Sequence, residues 1–419
     1  MKNKIKNDPY AALKYPEFRF FVLAQFLFTV SILIQEIVIS YYLYEITNDP
    51  LSLGLVGLFE AVPFISLALF GGYFADKYQK KKIYLSSFFV VLLVTVILMV
   101  FMGDNSILHL DRAHQPWVIY LGVLIFGIAR GFYNPAWSSL KPFLVKPEHY
   151  SNSASWSAQF WQVGRIAGPV IGGFLYAYIG LMNSLWVVLV LLVATIFFAS
   201  QIAKKPVEAM TKTNIFESLR EGLTFVKSNK ILYYSIVLDM FSVLFGGVIA
   251  ILPVYAKDIL HVGVEGLGVM RAAPGIGAVL TMLGTAYYPP TNKAWRNMLL
   301  GVAGFGVATL VFAVSENFIV SCIALFLTGA FDSISVVVRS TILQILPPDN
   351  MRGRVSSVNG IFVSTSNELG AFESGVAAKL LGPVNSVVFG GVMTLVVVGY
   401  IYSKSKELFG VKLIKEIST

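Results

Sequence analysis

Cysteine, histidine and charged residues are all scarce in this chain of 419 residues. Cys322 is the only cysteine, which excludes a disulfide framework and a metal site built from thiols. The four histidines all fall in predicted loops, and they are His109, His114, His149 and His261. No phosphate-binding loop ending in GK(S/T) is present, so direct coupling to ATP is not predicted. The sequence therefore predicts neither a metal nor a cofactor.

Apolar residues, in contrast, are abundant: hydrophobic types make up 56% of the chain and charged types only 13%. A soluble domain could not bury this much apolar surface, whereas lipid can cover it. Stretches of about 20 apolar residues, the length that crosses the hydrocarbon core of a bilayer, recur along the sequence. The net charge of +9 does not indicate nucleic acid, because the basic residues are spread among short loops. The composition predicts an all-α integral membrane protein.

We predict twelve transmembrane spans in two six-helix bundles. The first six are Phe18–Tyr44, Leu51–Ala75, Ile83–Met102, Trp117–Phe143, Ser153–Ile179 and Leu181–Ala203. The last six are Ile231–Ala256, Leu267–Tyr288, Met298–Val314, Phe318–Ile345, Val355–Leu381 and Val384–Ser403. The N-terminal bundle covers residues 1–203 and the C-terminal bundle covers 231–419. Residues 204–230 form a polar cytoplasmic linker, in which NIFESLREGLTFVK has helical periodicity and is predicted to lie along the membrane surface.

The distribution of Lys and Arg predicts the orientation of the chain. Most basic residues fall on one side if the N-terminus is cytoplasmic: the N-terminal lysines, the cluster at 77–82, the linker and the C-terminal tail. The first apolar stretch is too long for a signal-peptide core and no small-residue cleavage site follows it, so we expect a mature helix. We expect a multi-pass protein of the bacterial inner membrane with both termini cytoplasmic.

Several spans carry an ionisable residue at mid-membrane depth, where a charge is costly and therefore indicates function. These residues are Glu36, Glu60, Arg130, Arg165, Asp239, Arg271, Asp332, Arg339, Glu368 and Glu373. Spans 3, 6, 9 and 12 carry none, so we expect them to face lipid while the other eight surround a polar centre. The halves also resemble each other, since EAVP in span 2 matches RAAP in span 8, as is typical of duplicated transporters.

The loop between spans 2 and 3 reads GGYFADKYQKKK and resembles motif A of the major facilitator superfamily. The matching residues are Gly72, Asp76, Lys77, Lys80 and Lys81, whereas Gln79 replaces a usual glycine. The resemblance implies a latch that closes the cytoplasmic side, with Asp76 accepting hydrogen bonds from the positive N-terminus of span 11 near Val355–Val358. A positive-inside anchor with a solvated Asp76 is the alternative.

Span 5 contains GRIAGPVIGG, which resembles motif C of the drug:proton antiporters. The matching residues are Gly164, Gly168, Pro169, Gly172 and Gly173, whereas Ser155 stands where a further glycine is usual. Small residues at this spacing let two helix backbones approach closely, and a proline kinks the helix. Ordinary helix packing is the alternative interpretation.

The second half narrows the resemblance. MRGRVSSVNGIF and SNELGAFESG are similar to the branch of the superfamily that contains the enterobactin exporter and macrolide efflux proteins. The resemblance extends over nearly the whole chain. It implies the twelve-helix major facilitator fold, in which spans 1, 4, 7 and 10 line the cavity and spans 2, 5, 8 and 11 form the interface between the halves.

Within that fold the candidate site residues form three groups. Glu36 and Asp239 are the candidate proton carriers, and Arg130 in GIARGFYNP resembles the motif B arginine that influences proton release; a structural ion pair is the alternative for each. The interface or gate candidates are Glu60, Arg165, Arg271, Glu368 and Glu373. The cavity candidates are Tyr41, Asn134, Trp137, Trp161, Phe241, Asp332 and Arg339.

These features predict a proton-coupled secondary active transporter that exports an amphipathic small molecule, a drug-like compound or a siderophore, by alternating access. Acids and aromatic rings in one cavity suit amphipathic and cationic molecules. The alternatives are a lysophospholipid or metabolite carrier on the same fold and, from another class, a membrane enzyme acting on lipid head groups. That enzyme needs a convergent nucleophile or metal constellation, which the histidines and the cysteine are wrongly placed to form. We expect a monomer, with protons, a small molecule and the bilayer as its partners.

Overall fold

The computed structural model describes residues 8–102, 108, 110–206, 215–291 and 293–410. Within these ranges several side chains are not described, namely those of Ala68, Leu69, Tyr73, Asp76, Ile215, Phe216, Ala286, Asp349 and Asn350.

The described residues form helices and contain no strand. The helices of the first half are α1 (Pro16–Thr47), α2 (Pro50–Lys77), α3 (Lys80–Phe101), α4 (Gln115–Ser138) and α5 (Tyr150–Ser200). Those of the second half are α6 (Ile215–Ser228), α7 (Lys230–Gly246), α8 (Leu252–Val254), α9 (Gly263–Tyr287), α10 (Ala294–Ala313), α11 (Phe318–Ile345), α12 (Asp349–Leu381) and α13 (Pro383–Lys404). A π-helical turn, Tyr255–Ile259, follows the single turn of α8. The prediction of an all-α membrane protein is confirmed.

Within the described residues, ten helical segments are long and apolar enough to cross a membrane. One of them, Pro147–Ser200, has 54 residues and contains both predicted spans 5 and 6. It breaks at Gly180, whose φ of 75° and ψ of 179° lie outside the helical region and favour glycine. Predicted span 11 corresponds to α12, which is 33 residues long but, with its many Ser, Asn and Gly residues, too polar to count among the ten. The total of twelve spans stays a prediction.

The predicted lipid-facing spans present exposed apolar stripes. In the second part of α5 the stripe consists of Trp186, Val190, Val193 and Phe197, spaced four, three and four residues apart. In α13 it consists of Val392, Val396 and Tyr400, and in α10 of Leu300, Val307 and Val311. This spacing places each set on one face of its helix. Lipid tails are as apolar as these side chains and can cover such a face. That these spans face lipid stays a prediction.

The contacts divide the chain into two compact units, each described here by itself. Unit 1 comprises the described residues of Met1–Val38 and Val62–Thr211, and unit 2 those of Ile39–Ala61 and Lys212–Thr419. The core of unit 1 includes Phe18, Phe21, Tyr84 and Phe88, and that of unit 2 includes Leu232, Met298, Val338 and Val355. Residues 39–61 cluster with unit 2, although the sequence analysis assigned them to the N-terminal bundle. The division into two six-helix bundles stays a prediction.

Within unit 1, the glycines of the motif C segment lie against α1. A Cβ atom built at Gly164 would lie 3.1 Å from the Thr29 Cβ, and one at Gly168 would lie 2.8 Å from the Leu33 Cβ. At Gly172 the corresponding distance is 3.0 Å, to the Cα of Ile34. The four-residue spacing therefore lets α5 approach α1 too closely for larger side chains.

Candidate functional site

A cavity of about 390 Å³ opens inside unit 1 among α1, α3, α4 and α5. Its volume falls in the range of small-molecule binding sites. Its lining residues are Gln25, Phe28, Thr29, Phe88, Tyr133, Asn134, Pro135, Trp137, Ser138, Lys141 and Trp161. Five of these are aromatic, five others have polar or charged side chains, and none is acidic.

The aromatic wall of the cavity is held by ring contacts between three helices. The Phe28 ring of α1 lies 4.6 Å from the Phe88 ring of α3 and 5.0 Å from the Tyr133 ring of α4, measured between centroids. The Phe88 ring also meets Trp137 edge to face at 5.5 Å. Edge-to-face and tilted pairs are the favoured arrangements of aromatic rings. The wall is therefore formed by packing within unit 1 alone.

Some polar side chains of the cavity have hydrogen-bond partners in the protein and others have none among the described residues. The Gln25 amide is held by α5, because the Ser157 hydroxyl donates to Gln25 Oε1 at 2.8 Å and Gln25 Nε2 donates to the Ser157 carbonyl at 3.3 Å. In contrast, the side chains of Asn134 and Lys141 have no hydrogen-bond or ion-pair partner in the part of the chain that the structure describes. Lys141 is partly buried at the end of α4, in the 3-10 turn Lys141–Phe143.

The structure brings three of the predicted cavity residues together. Asn134, Trp137 and Trp161 all line the cavity, and the Arg165 guanidinium lies over the Trp161 ring, 4.8 Å from its centroid. The other four candidates do not line it, because they belong to unit 2: Tyr41, Phe241, Asp332 and Arg339. Sequence reasoning missed Lys141, which falls near the end of predicted span 4 and was not among its candidate residues.

Unit 2 contains a buried ion pair between two predicted site residues. Asp239 Oδ1 of α7 contacts Arg339 Nη1 of α11, and only 5% of Asp239 and 6% of Arg339 are exposed. Two such charges are tolerated away from water only when they are paired. Asp332, another predicted cavity residue, is partly buried seven residues earlier on α11.

The remaining mid-span charges have varied surroundings. Glu36 has an exposed side chain, in contrast to Asp239. The Arg130 guanidinium lies over the Phe64 ring, 4.5 Å from its centroid. The other interface candidates are all partly buried, and they are Glu60, Arg271, Glu368 and Glu373. Their predicted roles in coupling and gating stay predictions.

The basic residues of the motif A segment are anchored inside unit 1. Lys81 Nζ donates to the carbonyls of Ser200 at 2.5 Å and Ile202 at 2.7 Å, where a lysine satisfies the free carbonyls at the end of α5. The Lys80 ammonium lies 5.4 Å from the Phe143 ring centroid, and that of Lys77 lies 5.7 Å from the Tyr78 ring. The side chain of Asp76, the central residue of the predicted latch, lies outside the described residues.

Close backbone approach in this segment involves Gly71 rather than the motif residue Gly72. A Cβ atom at Gly71 would lie 2.0 Å from the carbonyl oxygen of Gly131 in α4, whereas one at Gly72 would meet nothing within 4 Å. Adjacent residues on a helix face different neighbours, so the sequence alone did not show which of the two glycines makes the close approach.

A polar cluster in unit 2 joins the C-terminal end of α1 and the start of α2 to residues much later in the chain. The Tyr44 hydroxyl donates to Asp258 Oδ2, and Lys257 Nζ donates to Asn48 Oδ1 at 2.7 Å and lies 5.3 Å from the Tyr44 ring centroid. Lys379 of α12 forms a 2.7 Å ion pair with Asp49. Next to this pair, a Cβ atom at Gly375 would lie 2.5 Å from the Cα of Gly54. We call the residues Tyr44, Asn48, Asp49, Lys257, Asp258 and Lys379 the α1–α2 clasp.

Among the described residues, no cluster of three or more His, Cys, Asp or Glu side chains is arranged to hold a metal ion.

Comparison with known proteins identifies the family. The chain belongs to the transmembrane secretion effector family of the major facilitator superfamily, whose model matches residues 7–409. The enterobactin exporter of Salmonella typhi is 25% identical over 393 residues, which cover 92% of this chain and 91% of that protein. The enterobactin exporter of Citrobacter koseri is 24% identical, covering 92% of this chain and 90% of that protein. The predicted resemblance is confirmed.

Solved structures show the same fold. The nucleoside transporter NupG superposes with a TM-score of 0.73 at 13% identity, and the match covers 94% of this chain and 100% of that one. A bacterial homologue of the iron transporter ferroportin superposes with a TM-score of 0.72 at 15% identity, covering 94% of this chain and 99% of that one. The chain is therefore a multi-pass membrane transporter of small molecules with the major facilitator fold.

Proposed function

We propose that the protein is a proton-coupled secondary transporter that exports an amphipathic small molecule, a drug-like compound or a siderophore, by alternating access. The observation that carries this proposal is the buried Asp239–Arg339 ion pair, two charges inside membrane-spanning helices of an exporter family. Ionisable groups in such positions mark proton pathways and substrate sites in transporters. The enterobactin exporters among the relatives support export as the direction and a siderophore as one substrate type.

The ion pair links proton binding at Asp239 to the conformation of the protein. When Asp239 takes up a proton, Arg339 is left as a buried charge without a counter-charge, which is unfavourable by several kcal/mol. That penalty favours any rearrangement that exposes Arg339 to water or to an anionic group. Loss of the proton restores the pair. Proton binding and conformation are therefore linked in both directions, as coupled transport requires.

The cavity of unit 1 is the proposed substrate-binding site. Its aromatic wall suits the apolar part of an amphipathic molecule, and Gln25, Asn134 and Lys141 offer polar contacts at its edge. We propose an orientation with both termini cytoplasmic in the bacterial inner membrane, from the distribution of basic residues. In that orientation the cavity lies towards the cytoplasmic end of α4, where an exporter collects its substrate. We propose that the protein works as a monomer.

Transport in proteoliposomes tests the coupling. We expect Asp239→Asn to abolish uphill transport driven by an imposed pH gradient while downhill exchange continues, because the variant cannot exchange a proton at this site. Glu316→Gln removes an exposed carboxylate just before α11 and is the matched control. Glu36→Gln tests the second candidate carrier in the same assay. If Asp239→Asn accumulates substrate at the wild-type rate, the ion pair is not the coupling site.

A further inference from the structure

We propose that the cavity of unit 1 recognises an aromatic ring that carries a negative charge, with Lys141 as the counter-ion of that charge. The proposal rests on the proposed role of this cavity as the substrate site. It deepens that role by naming the chemical class of the ligand, and it replaces the cationic molecules that the composition of the spans suggested.

The first argument is the unmatched charge of Lys141. A partly buried lysine normally has a carboxylate or carbonyl partner that offsets the loss of hydration. Lys81 and Lys205 follow this rule, the former on two carbonyls and the latter on the Glu17 carboxylate. Lys141 has no such partner among the described residues, although it lines the cavity. An anionic ligand in the cavity would supply the missing partner.

The second argument is the sign of the net charge of the residues that line the cavity. No lining residue is acidic, so Lys141 is the single charged group on the wall. The Arg165 guanidinium lies over the ring of another lining residue, Trp161. A cationic ligand would therefore meet repulsion without any compensating carboxylate, whereas an anion would be attracted.

The third argument is the shape and chemistry of the remaining wall. An apolar cavity of about 150 Å³ holds one benzene molecule, so a cavity of about 390 Å³ has room for a two-ring group. The rings of Phe28, Tyr133 and Trp161 offer faces and edges for stacking. The Asn134 amide, also without a partner among the described residues, can donate to an oxygen of the ligand beside Lys141.

Binding of three matched probes tests the charge preference. The full chain is placed in nanodiscs of uncharged phosphatidylcholine, and calorimetry measures binding of 1-naphthoate, neutral 1-naphthalenemethanol and cationic 1-naphthylmethylamine, with empty nanodiscs as the blank. We expect the affinity order naphthoate, alcohol, amine. Lys141→Met should weaken naphthoate binding about ten- to a hundredfold, the range of a charged hydrogen bond, and leave the alcohol within about threefold.

Two variants control this measurement. Lys141→Arg keeps the positive charge and should retain the preference for naphthoate, which separates charge recognition from loss of folding. Lys146→Met removes an exposed lysine five residues away, outside the cavity, and should bind all three probes as the wild type does. Equal naphthoate affinity in wild type and Lys141→Met, or tightest binding of the amine, would overturn the proposal.

Transport of the same probes separates this proposal from the proposed function. If naphthoate binds through Lys141 but no pH gradient moves it across proteoliposomes, the ligand class stands and proton-driven export of that ligand fails. If uphill transport of another compound depends on Asp239 and is unchanged in Lys141→Met, export stands and the assignment of the anionic ligand fails.

Discussion

Asp239 and Arg339 form an ion pair in which both side chains are almost completely excluded from solvent. Removing one partner leaves the other as an unpaired buried charge, at a cost of about 3–5 kcal/mol, whereas removing both charges leaves none. We therefore expect Asp239→Asn and Arg339→Met each to lower the thermal unfolding temperature strongly. The double variant should unfold closer to the wild type than either single variant.

Thermal unfolding of the purified protein in detergent, followed by intrinsic fluorescence, measures this cycle. Glu316→Gln serves again as the exposed-carboxylate control and should leave the unfolding temperature unchanged. Additive losses in the double variant would show that the two side chains stabilise the protein independently.

The contact between Gly54 and Gly375 leaves no room for a side chain. A Cβ atom at Gly375 would lie 2.5 Å from the Gly54 Cα and 2.7 Å from its nitrogen, and these backbone atoms cannot move aside cheaply. We expect Gly375→Ala to destabilise the protein by about 1–3 kcal/mol, as overpacking does. Gly360→Ala on the same helix meets nothing within 4 Å and should be neutral or slightly stabilising. Comparable unfolding of the two variants would contradict the close approach.

Lys81 links the start of α3 to the end of α5 through the carbonyls of Ser200 and Ile202. We expect Lys81→Met to lower stability by about 1 kcal/mol, because those carbonyls lose a charged donor. Lys82→Met, which removes the exposed neighbouring charge, is the matched control. Hydrogen exchange of the backbone amides near the end of α5 is the measurement, and it should rise only in the Lys81 variant. An equal rise in both would assign the effect to net charge.

The α1–α2 clasp contains a hydrogen bond from a tyrosine to a carboxylate. Tyr44→Phe removes the hydroxyl that donates to Asp258 and should destabilise the protein by about 1.5–3 kcal/mol, the value of a hydrogen bond to a charged group. Tyr287→Phe is the control, because 83% of that tyrosine is exposed. Unfolding in detergent again provides the readout. A Tyr44→Phe protein as stable as the wild type would mean that water replaces the hydroxyl at no cost.

Much of the architecture follows from the sequence because membrane spans have a strong signal. The length of the apolar stretches predicts the helices, and Gly180 falls between predicted spans 5 and 6, where α5 breaks. The family resemblance was confirmed by the comparisons. Motif C predicted a close approach of helices, and Gly164 and Gly168 lie against α1.

The pairing of side chains could not be predicted in the same way. Sequence gives the depth of a residue in the membrane but not the rotation of its helix about its axis. The sequence shows that Asp332 and Arg339 are two turns apart on one helix, too far for direct contact, but only the structure pairs Arg339 with Asp239. Lys141 was overlooked for a related reason. In a sequence, a lysine at a helix end indicates the orientation of the helix in the membrane. Only the structure shows that this lysine lines a cavity.

The boundary between the two units runs through the interior of two continuous helices. Helix α1 passes from unit 1 to unit 2 between Val38 and Ile39, and α2 returns between Ala61 and Val62. Residues 39–61 therefore belong to unit 2, although the chain returns to unit 1 after them. Gly54, against which Gly375 packs, lies in this stretch. Expressing the second half of the sequence alone would leave unit 2 without part of its own packing.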